Sequence, residues 1–238
     1  MSTLNIGTFN VRGLKNDFKK ETVLKDFRKH NLDILAIQET HITDKQHTTF
    51  NIDQEKYELF ISECKDYHHG VGFLVHSKYQ PTFHKISDRI LVCNIYLQDK
   101  NRDRHLKFIN VYAPTVQRTK QNPEETEKLY SDLNNLLKQN RHSTFVLGDF
   151  NAVIADGHIK YPENVGKYSK GKINENGYYL IDFLAQNNLY ATNTFFEHKL
   201  SNISTWQSNY FPEYRKNPFR NQIDFIIGHK AWKSNNLD

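Results

Sequence analysis

Several residue types that would place the chain outside the cell, in a membrane or in a modular array are scarce. Two cysteines, Cys64 and Cys93, stand in 238 residues. They are too few for a disulfide framework and too far apart for a close metal-type pair, so a reducing interior is the simpler setting. The 10 glycines and 6 prolines nowhere gather with serine into a linker, and a single domain with a deep core is expected over 1–238. Long apolar runs are missing too. No stretch approaches the length needed to span a bilayer, and Met1-Ser2-Thr3-Leu4-Asn5 has neither the basic start nor the apolar run of a secretory signal. A soluble, intracellular protein with no membrane partner is expected.

Charge is plentiful in both signs. Lys and Arg number 32 against 27 Asp and Glu, a net charge of +5. An anionic partner suits this balance, nucleic acid above all, provided the excess is concentrated on one face. The 13 Tyr and 16 Phe serve either as stacking surfaces for bases or as core and strand packing.

Hydrophobic periodicity predicts α+β organisation. Strands are expected over Leu4–Val11, ending at Asn10 with Gly13 as a turn, and over Leu32–Ile37, which delivers Gln38 and Glu39 to its carboxyl end. Between them Val23, Leu24 and Phe27 recur at helical spacing over Lys19–His30. Strands Tyr57–Ser62, Val71–Val75, Ile90–Leu97 and Leu106–Tyr112 follow as an antiparallel succession, the last stopped by Ala113-Pro114. Asn122-Pro123-Glu124-Glu125 opens a helix to about Lys138, with Asn122 as cap and Leu129, Leu133, Leu136 and Leu137 inward. Ala155–Gly177 has few large apolar residues and reads as a long mobile surface loop, either gripping a phosphate backbone or simply solvated. A helix over Asn176–Asn187, a strand Leu189–Thr194, a short strand at Thr205-Trp206, a basic and aromatic loop Tyr214–Arg220, and a strand Gln222–Gly228 complete the chain.

The chemistry gathers at Phe145-Val146-Leu147-Gly148-Asp149-Phe150-Asn151. A short buried strand is closed by Gly148, where the backbone turns; if it stays extended through Phe150, Asp149 and Asn151 project to one face. A carboxylate there can take a proton from water while a neutral amide holds what the water attacks. In isolation, Gly-Asp-x-Asn equally describes an Asx turn capping a core strand. Glu39 at a strand end is either a hard-metal ligand or an exposed loop residue. Asp224, enclosed by Ile223, Phe225, Ile226 and Ile227, must be paired or otherwise stabilised. His41, His68 and His69 read as surface residues, because no second ligand-rich motif accompanies them.

Taken together, Thr8-Phe9-Asn10-Val11-Arg12-Gly13-Leu14, Ile37-Gln38-Glu39-Thr40-His41, Asn110-Val111-Tyr112-Ala113-Pro114-Thr115, Leu147-Gly148-Asp149-Phe150-Asn151, Asn174-Glu175-Asn176-Gly177, Thr192-Asn193-Thr194-Phe195-Phe196, Thr205-Trp206 and Gln222-Ile223-Asp224-Phe225 resemble, in order, the endonuclease/exonuclease/phosphatase superfamily. The likeness is greatest to the apurinic-type endonuclease domains of non-LTR (LINE-like) retrotransposons. The resemblance implies a four-layer α/β/β/α sandwich of two mainly antiparallel sheets flanked by helices. It implies Mg²⁺, with Mn²⁺ as a substitute, held by Glu39 with help from Asn10. Asp149 would activate the attacking water, Asn151 would hold the scissile phosphate, and Tyr112 would hydrogen-bond a phosphate oxygen. Asp224 would orient a catalytic histidine, and Thr205, Lys170, Lys172, Arg215 and Arg220 would face DNA. A monomeric nuclear endonuclease that nicks target DNA, with a reverse transcriptase in the parent polypeptide, is the expectation.

The family's Ser-Asp-His motif does not appear before Asp238, so its C-terminal strand is expected to be missing and activity impaired. His229, five positions beyond Asp224, would face the opposite side of a strand and is a poor substitute. The alternatives are a nucleic-acid-binding or degenerate domain without turnover, or another phosphoesterase of the superfamily acting on abasic DNA, RNA or phosphoinositide.

Overall fold

The computed structural model describes residues 3–52, 54–98, 104–138, 143–208 and 219–233. They divide into two compact units, Met1–Tyr112 with Ser143–Asp149, and Ala113–His142 with Phe150–Asp238. The strands form two main sheets, one of five and one of six, flanked by helices.

The first unit begins with β1 (Ile6–Asn10), α1 (Asp17–Lys29) and β2 (Ile34–Gln38). The side chain of Asn16 accepts from the Phe18 amide to start α1, and Arg28 and Lys29 lie in its last turn, where the dipole favours cations. Val23 and Phe27 turn inward, into a cluster with Val11, Leu14, Leu35, Ile37, Tyr57 and Leu74. This crossover makes β1 and β2 parallel neighbours, Asn10 opposite Gln38. β3 (Gln46–Ile52), β4 (Glu55–Ile61) and β5 (Val71–His76) complete a sheet of order β1-β2-β5-β4-β3. β6 (Thr82–Ser87), β7 (Ile90–Leu97), β8 (Arg104–Tyr112) and β9 (Thr144–Asp149) lie in the second sheet, in the order β9-β8-β7-β6. β8 and β9 run parallel with Tyr112 opposite Asp149, so both sheets are mixed, though antiparallel pairing dominates. β1, β2 and β5 pack onto β7–β9.

Two strands of this unit were not anticipated. β3 exposes His47, Thr48, Thr49 and Asn51, and β6 is likewise only partly covered; with little to bury, neither carries the apolar alternation that marks a strand. Gly148 also departs from expectation. It lies within β9 rather than at a turn, with φ +151°, and an added Cβ would come 1.9 Å from the Val111 carbonyl oxygen.

The second unit contains α2 (Val116–Gln121), which the sequence did not suggest, α3 (Pro123–Leu137), α4 (Gly157–Lys160) and α5 (Glu175–Gln186). α3 starts with Pro123 and two acids as expected, but Asn122 makes no side-chain capping bond. Leu129, Leu133 and Leu137 are buried, while Leu136 is half-buried. β10 (Leu189–Ala191), α6 (Leu200–Ile203), β11 (Trp206–Gln207), β12 (Arg220–Asn221) and β13 (Asp224–His229) follow. β10 pairs antiparallel with β13, and β11 with β12.

The segment 155–174 is not the mobile surface loop expected. Asn164, Val165 and Gly166 are buried. Asn164 Nδ2 donates to the Leu189 carbonyl at 2.7 Å, and the Gly166 amide donates to Thr194 Oγ1 at 2.7 Å. Side-chain and backbone hydrogen bonds to the β10 region take the place of a regular ladder. Among the described residues no helix is long and apolar enough to cross a membrane.

Burial raises the pKa of four tyrosines. Tyr57 is pushed up to about 12, by burial and then by its hydrogen bond to Glu55. Tyr79, Tyr112 and Tyr130 are pushed further, burial leading in each. A tyrosine whose folded pKa exceeds its unfolded value of about 10 contributes stability that is whole below that value and is lost as pH rises through the folded one. A near-ultraviolet titration of tyrosinate should therefore show a fraction of the 13 tyrosines ionising reversibly, and the remainder only together with loss of near-UV circular dichroism. All of them titrating together while the fold persists would contradict the buried assignments.

Candidate active site

Four polar side chains stand at the carboxyl ends of strands in the first unit. Asn10 ends β1, Glu39 follows β2, Tyr112 ends β8 and Asp149 ends β9. Both parallel pairs thus deliver their chemistry at the same kind of end, where ladder hydrogen bonding stops and side chains become available.

One amide joins the two carboxylates. Asn10 Nδ2 donates to Glu39 Oε1 at 2.7 Å and to Asp149 Oδ2 at 2.9 Å, while Asn10 Oδ1 accepts from the Arg12 amide at 3.1 Å. Asp149 is buried, and the Glu39 side chain is about a fifth exposed. Tyr112, 8% exposed, has its phenol pushed up by burial first and by the neighbouring Glu39 carboxylate next, with which it hydrogen-bonds. It is therefore a proton donor throughout the neutral range.

Two carboxylates within reach of one NH₂ group repel each other, and a hard cation relieves that repulsion. Among the described residues no group of three or more His, Cys, Asp or Glu could hold a metal. A closed tetrahedral site is therefore not built among the described residues. The donor set suits a hard divalent cation held by one or two carboxylates, its shell completed by water and phosphate oxygen. The residues present fit such an ion.

Sequence reasoning missed the surroundings of this group. His41 Nε2 lies 3.5 Å from Glu39 Oε2, so His41 is not a detached surface residue. Glu39 and His41 have φ of +51° and +55°, and these left-handed conformations bend the chain back in a way that spacing does not signal. Arg89 was not singled out at all. Its guanidinium lies 5.3 Å from the centroid of the Tyr112 ring, donates to the Tyr112 carbonyl at 3.2 Å, and is 2.9 Å from His69 Nε2.

In the second unit Asn151 has φ +48°, so the extended run assumed through Phe150 does not continue. Its Nδ2 donates to the Ala113 carbonyl at 2.9 Å, and its own carbonyl accepts from Asn174 Nδ2 at 3.1 Å and Asn176 Nδ2 at 3.2 Å. Asn174 Oδ1 also caps α5 through the Gly177 amide and receives the Val153 amide, both at 2.9 Å. Asn174→Ala should lose the cap and leave a partly buried amide unpaired, a cost of about 2 kcal/mol. The urea midpoint should fall accordingly, with Asn174→Asp, which keeps the acceptor, losing less.

Asp224 opens β13, half-buried. Its amide and that of Ile223 donate to Thr205 Oγ1 at 3.2 and 3.0 Å, so the Thr205 hydroxyl is engaged in holding this strand. Arg220 is exposed, and its Nε donates to Gln207 at 3.0 Å. Lys172 is exposed and Lys170 half-buried, while Arg215 and most of the Tyr214–Arg220 loop lie outside the described residues. His229 is buried at the far end of β13, where its Nδ1 accepts from the Ala231 amide at 3.1 Å, a capping role.

Comparison with known proteins agrees with this architecture. Craniofacial development protein 2 of Tragulus javanicus is 32% identical over 237 residues, 96% of this chain and 38% of that protein. The chain therefore spans little more than a third of that relative's length. A transposon TX1 149 kDa protein of Xenopus laevis is 28% identical over 113 residues, 48% of this chain and 9% of that protein. Among solved structures, the endonuclease domain of the telomere-specific non-LTR retrotransposon TRAS1 superposes with a TM-score of 0.59 at 10% identity, covering 98% of this chain and 88% of that one. An AP endonuclease from Leishmania major gives 0.66 at 12%, with 97% and 80% covered. A 3' phosphatase from Neisseria bound to a product DNA hairpin gives 0.64 at 16%, with 98% and 89% covered. At such identities these structures speak for the fold. The family model of the Endonuclease/Exonuclease/phosphatase family matches residues 5–237, and the chain belongs to that family.

Proposed function

We propose that this chain is a divalent-metal-dependent phosphodiesterase that nicks one strand of DNA. The observation that carries the reading is the Asn10 amide shared by Glu39 and Asp149, which brings two carboxylates to one point beside a protonated tyrosine. Glu39, with Asn10, would hold Mg²⁺, and Mn²⁺ would substitute. When bound, the cation supplies neutralisation of phosphate charge and a more acidic water. Asp149 accepts the proton of the attacking water, and the Tyr112 hydroxyl donates to a phosphate oxygen.

In the second unit Asn151 would hold the scissile phosphate and Asp224 would orient a proton carrier. Thr205, Lys170, Lys172, Arg215 and Arg220 would meet the DNA backbone. Both units would act as one monomeric endonuclease domain in the nucleus, beside a reverse transcriptase in a parent polypeptide. The likeness to a retrotransposon endonuclease domain, to a phosphatase bound to a DNA hairpin and to a transposon protein supports DNA as the substrate.

The test is supercoiled plasmid incubated with Mg²⁺ or chelator, next to duplexes bearing an abasic site or a 3' phosphate. Nicked plasmid that vanishes with chelator and in Glu39→Gln is expected. Nicking indifferent to both would identify a contaminant, binding without cleavage would make the chain a DNA-binding module, and turnover confined to the abasic or 3'-phosphate duplex would move the substrate.

A further inference from the structure

Glu39 follows a strand of one sheet, whereas Tyr112 and Asp149 end neighbouring strands of the other. Any sliding of one sheet over the other would change the separation of the carboxylates. Apolar side chains between sheets resist separation well and sliding poorly, because dispersion has little directionality. Besides the Asn10 bond to Asp149, a fully buried feature of this interface is directional. Asn110, fully buried, lies on the same face of β8 as Tyr112 and two residues before it. Its Nδ2 donates to the carbonyls of Ile37 at 2.8 Å and Gly72 at 2.7 Å, residues that pair across β2 and β5. Its Oδ1 accepts from Gln38 Nε2 at 2.6 Å. Gln38 is also fully buried, immediately precedes Glu39, and continues to Thr8 on β1, Nε2 donating to Thr8 Oγ1 at 3.0 Å. Both donors and the acceptor of the Asn110 amide are thus used.

We propose that Asn110 and Gln38 are positioning residues, a buried amide lock that fixes the offset between the two sheets and thereby the separation of Glu39 from Asp149 and Tyr112. Burying two amides between apolar sheets costs desolvation that a pair of leucines would avoid, so their return is registry rather than bulk stability. The lock is one residue from Glu39 and two from Tyr112, close enough for an offset at one to be felt at the other.

The inference rests on the metal reading above, and its test is read with and without metal. In the double variant Gln38→Leu/Asn110→Leu, far-UV circular dichroism should stay near wild type, while the urea midpoint falls because the buried Ile37 and Gly72 carbonyls lose their donor. Mn²⁺ affinity by electron paramagnetic resonance should fall about 10- to 100-fold, the range for residues that orient metal ligands. kcat should fall with the KM for DNA little changed. In metal-free protein the side-chain amide resonance of Asn10, which bonds both carboxylates, should shift. A folded double variant with wild-type Mn²⁺ affinity and an unmoved Asn10 resonance would overturn the proposal. If that variant does not fold, Gln38→Met, which spares the Asn110 bonds to backbone, is read by the same measures and decides. If wild type neither binds Mn²⁺ nor nicks DNA, the nuclease reading falls, and the Asn10 resonance alone judges the lock.

Discussion

Asp149→Asn should leave the protein folded and reduce plasmid nicking by about 10²- to 10⁴-fold, the usual contribution of a positioned base. Asparagine keeps the size of the side chain and an oxygen able to accept from Asn10 Nδ2, now at 2.9 Å from Asp149 Oδ2. What disappears is the capacity to take a proton and one of the two negative charges at the site. Binding of DNA should survive or tighten, because a charge that repels phosphate is gone. The experiment therefore compares nicking rate with gel-shift affinity at equal salt. Equal loss of both would mean a damaged fold, and unchanged nicking would remove Asp149 from the chemistry.

Gly148→Ala should be severely damaging, costing more than about 4 kcal/mol and preventing accumulation of folded protein at ordinary temperature. The new Cβ would meet the Val111 carbonyl oxygen at 1.9 Å and two further backbone atoms of Val111 within 3 Å. Val111 is the register partner of Gly148 across β8 and β9, so relief requires separating the ladder that carries Tyr112 and Asp149. A φ of +151° adds strain for any L side chain. Thermal melts of the variant against wild type provide the measure. A melting temperature within a few degrees of wild type would mean that the two strands separate readily.

The strand ends were the legible part of this molecule. Short apolar runs closed by a polar residue pointed to Asn10, Glu39, Tyr112 and Asp149, because burial on both faces leaves a strong signature, and the structure brings these four together. The exposed edges β3 and β6 bury little and so left no such mark. Left-handed backbone at Glu39, His41 and Asn151 was hidden as well, since none of these is glycine. Spacing therefore gives no sign that His41 lies beside Glu39, or that the chain leaves the extended conformation at Asn151. The packed segment 155–174 was misread because its buried contacts are hydrogen bonds made by Asn164 and Gly166, which hydrophobic patterning does not register. The bonds of the Asn110 amide to Ile37, Gly72 and Gln38 likewise leave no mark in the spacing of its strand.

The first unit is discontinuous along the chain, taking Met1–Tyr112 and then Ser143–Asp149 with the helical stretch between them assigned elsewhere. On the ribosome, the two acids that Asn10 unites are therefore separated by more than a hundred residues of synthesis, and no early nascent fragment holds both. A chain released before β9 emerges would carry Glu39 and Tyr112 without Asp149. Premature termination or proteolysis within 113–142 should thus yield a cleavage-incompetent product rather than a smaller, promiscuous nuclease.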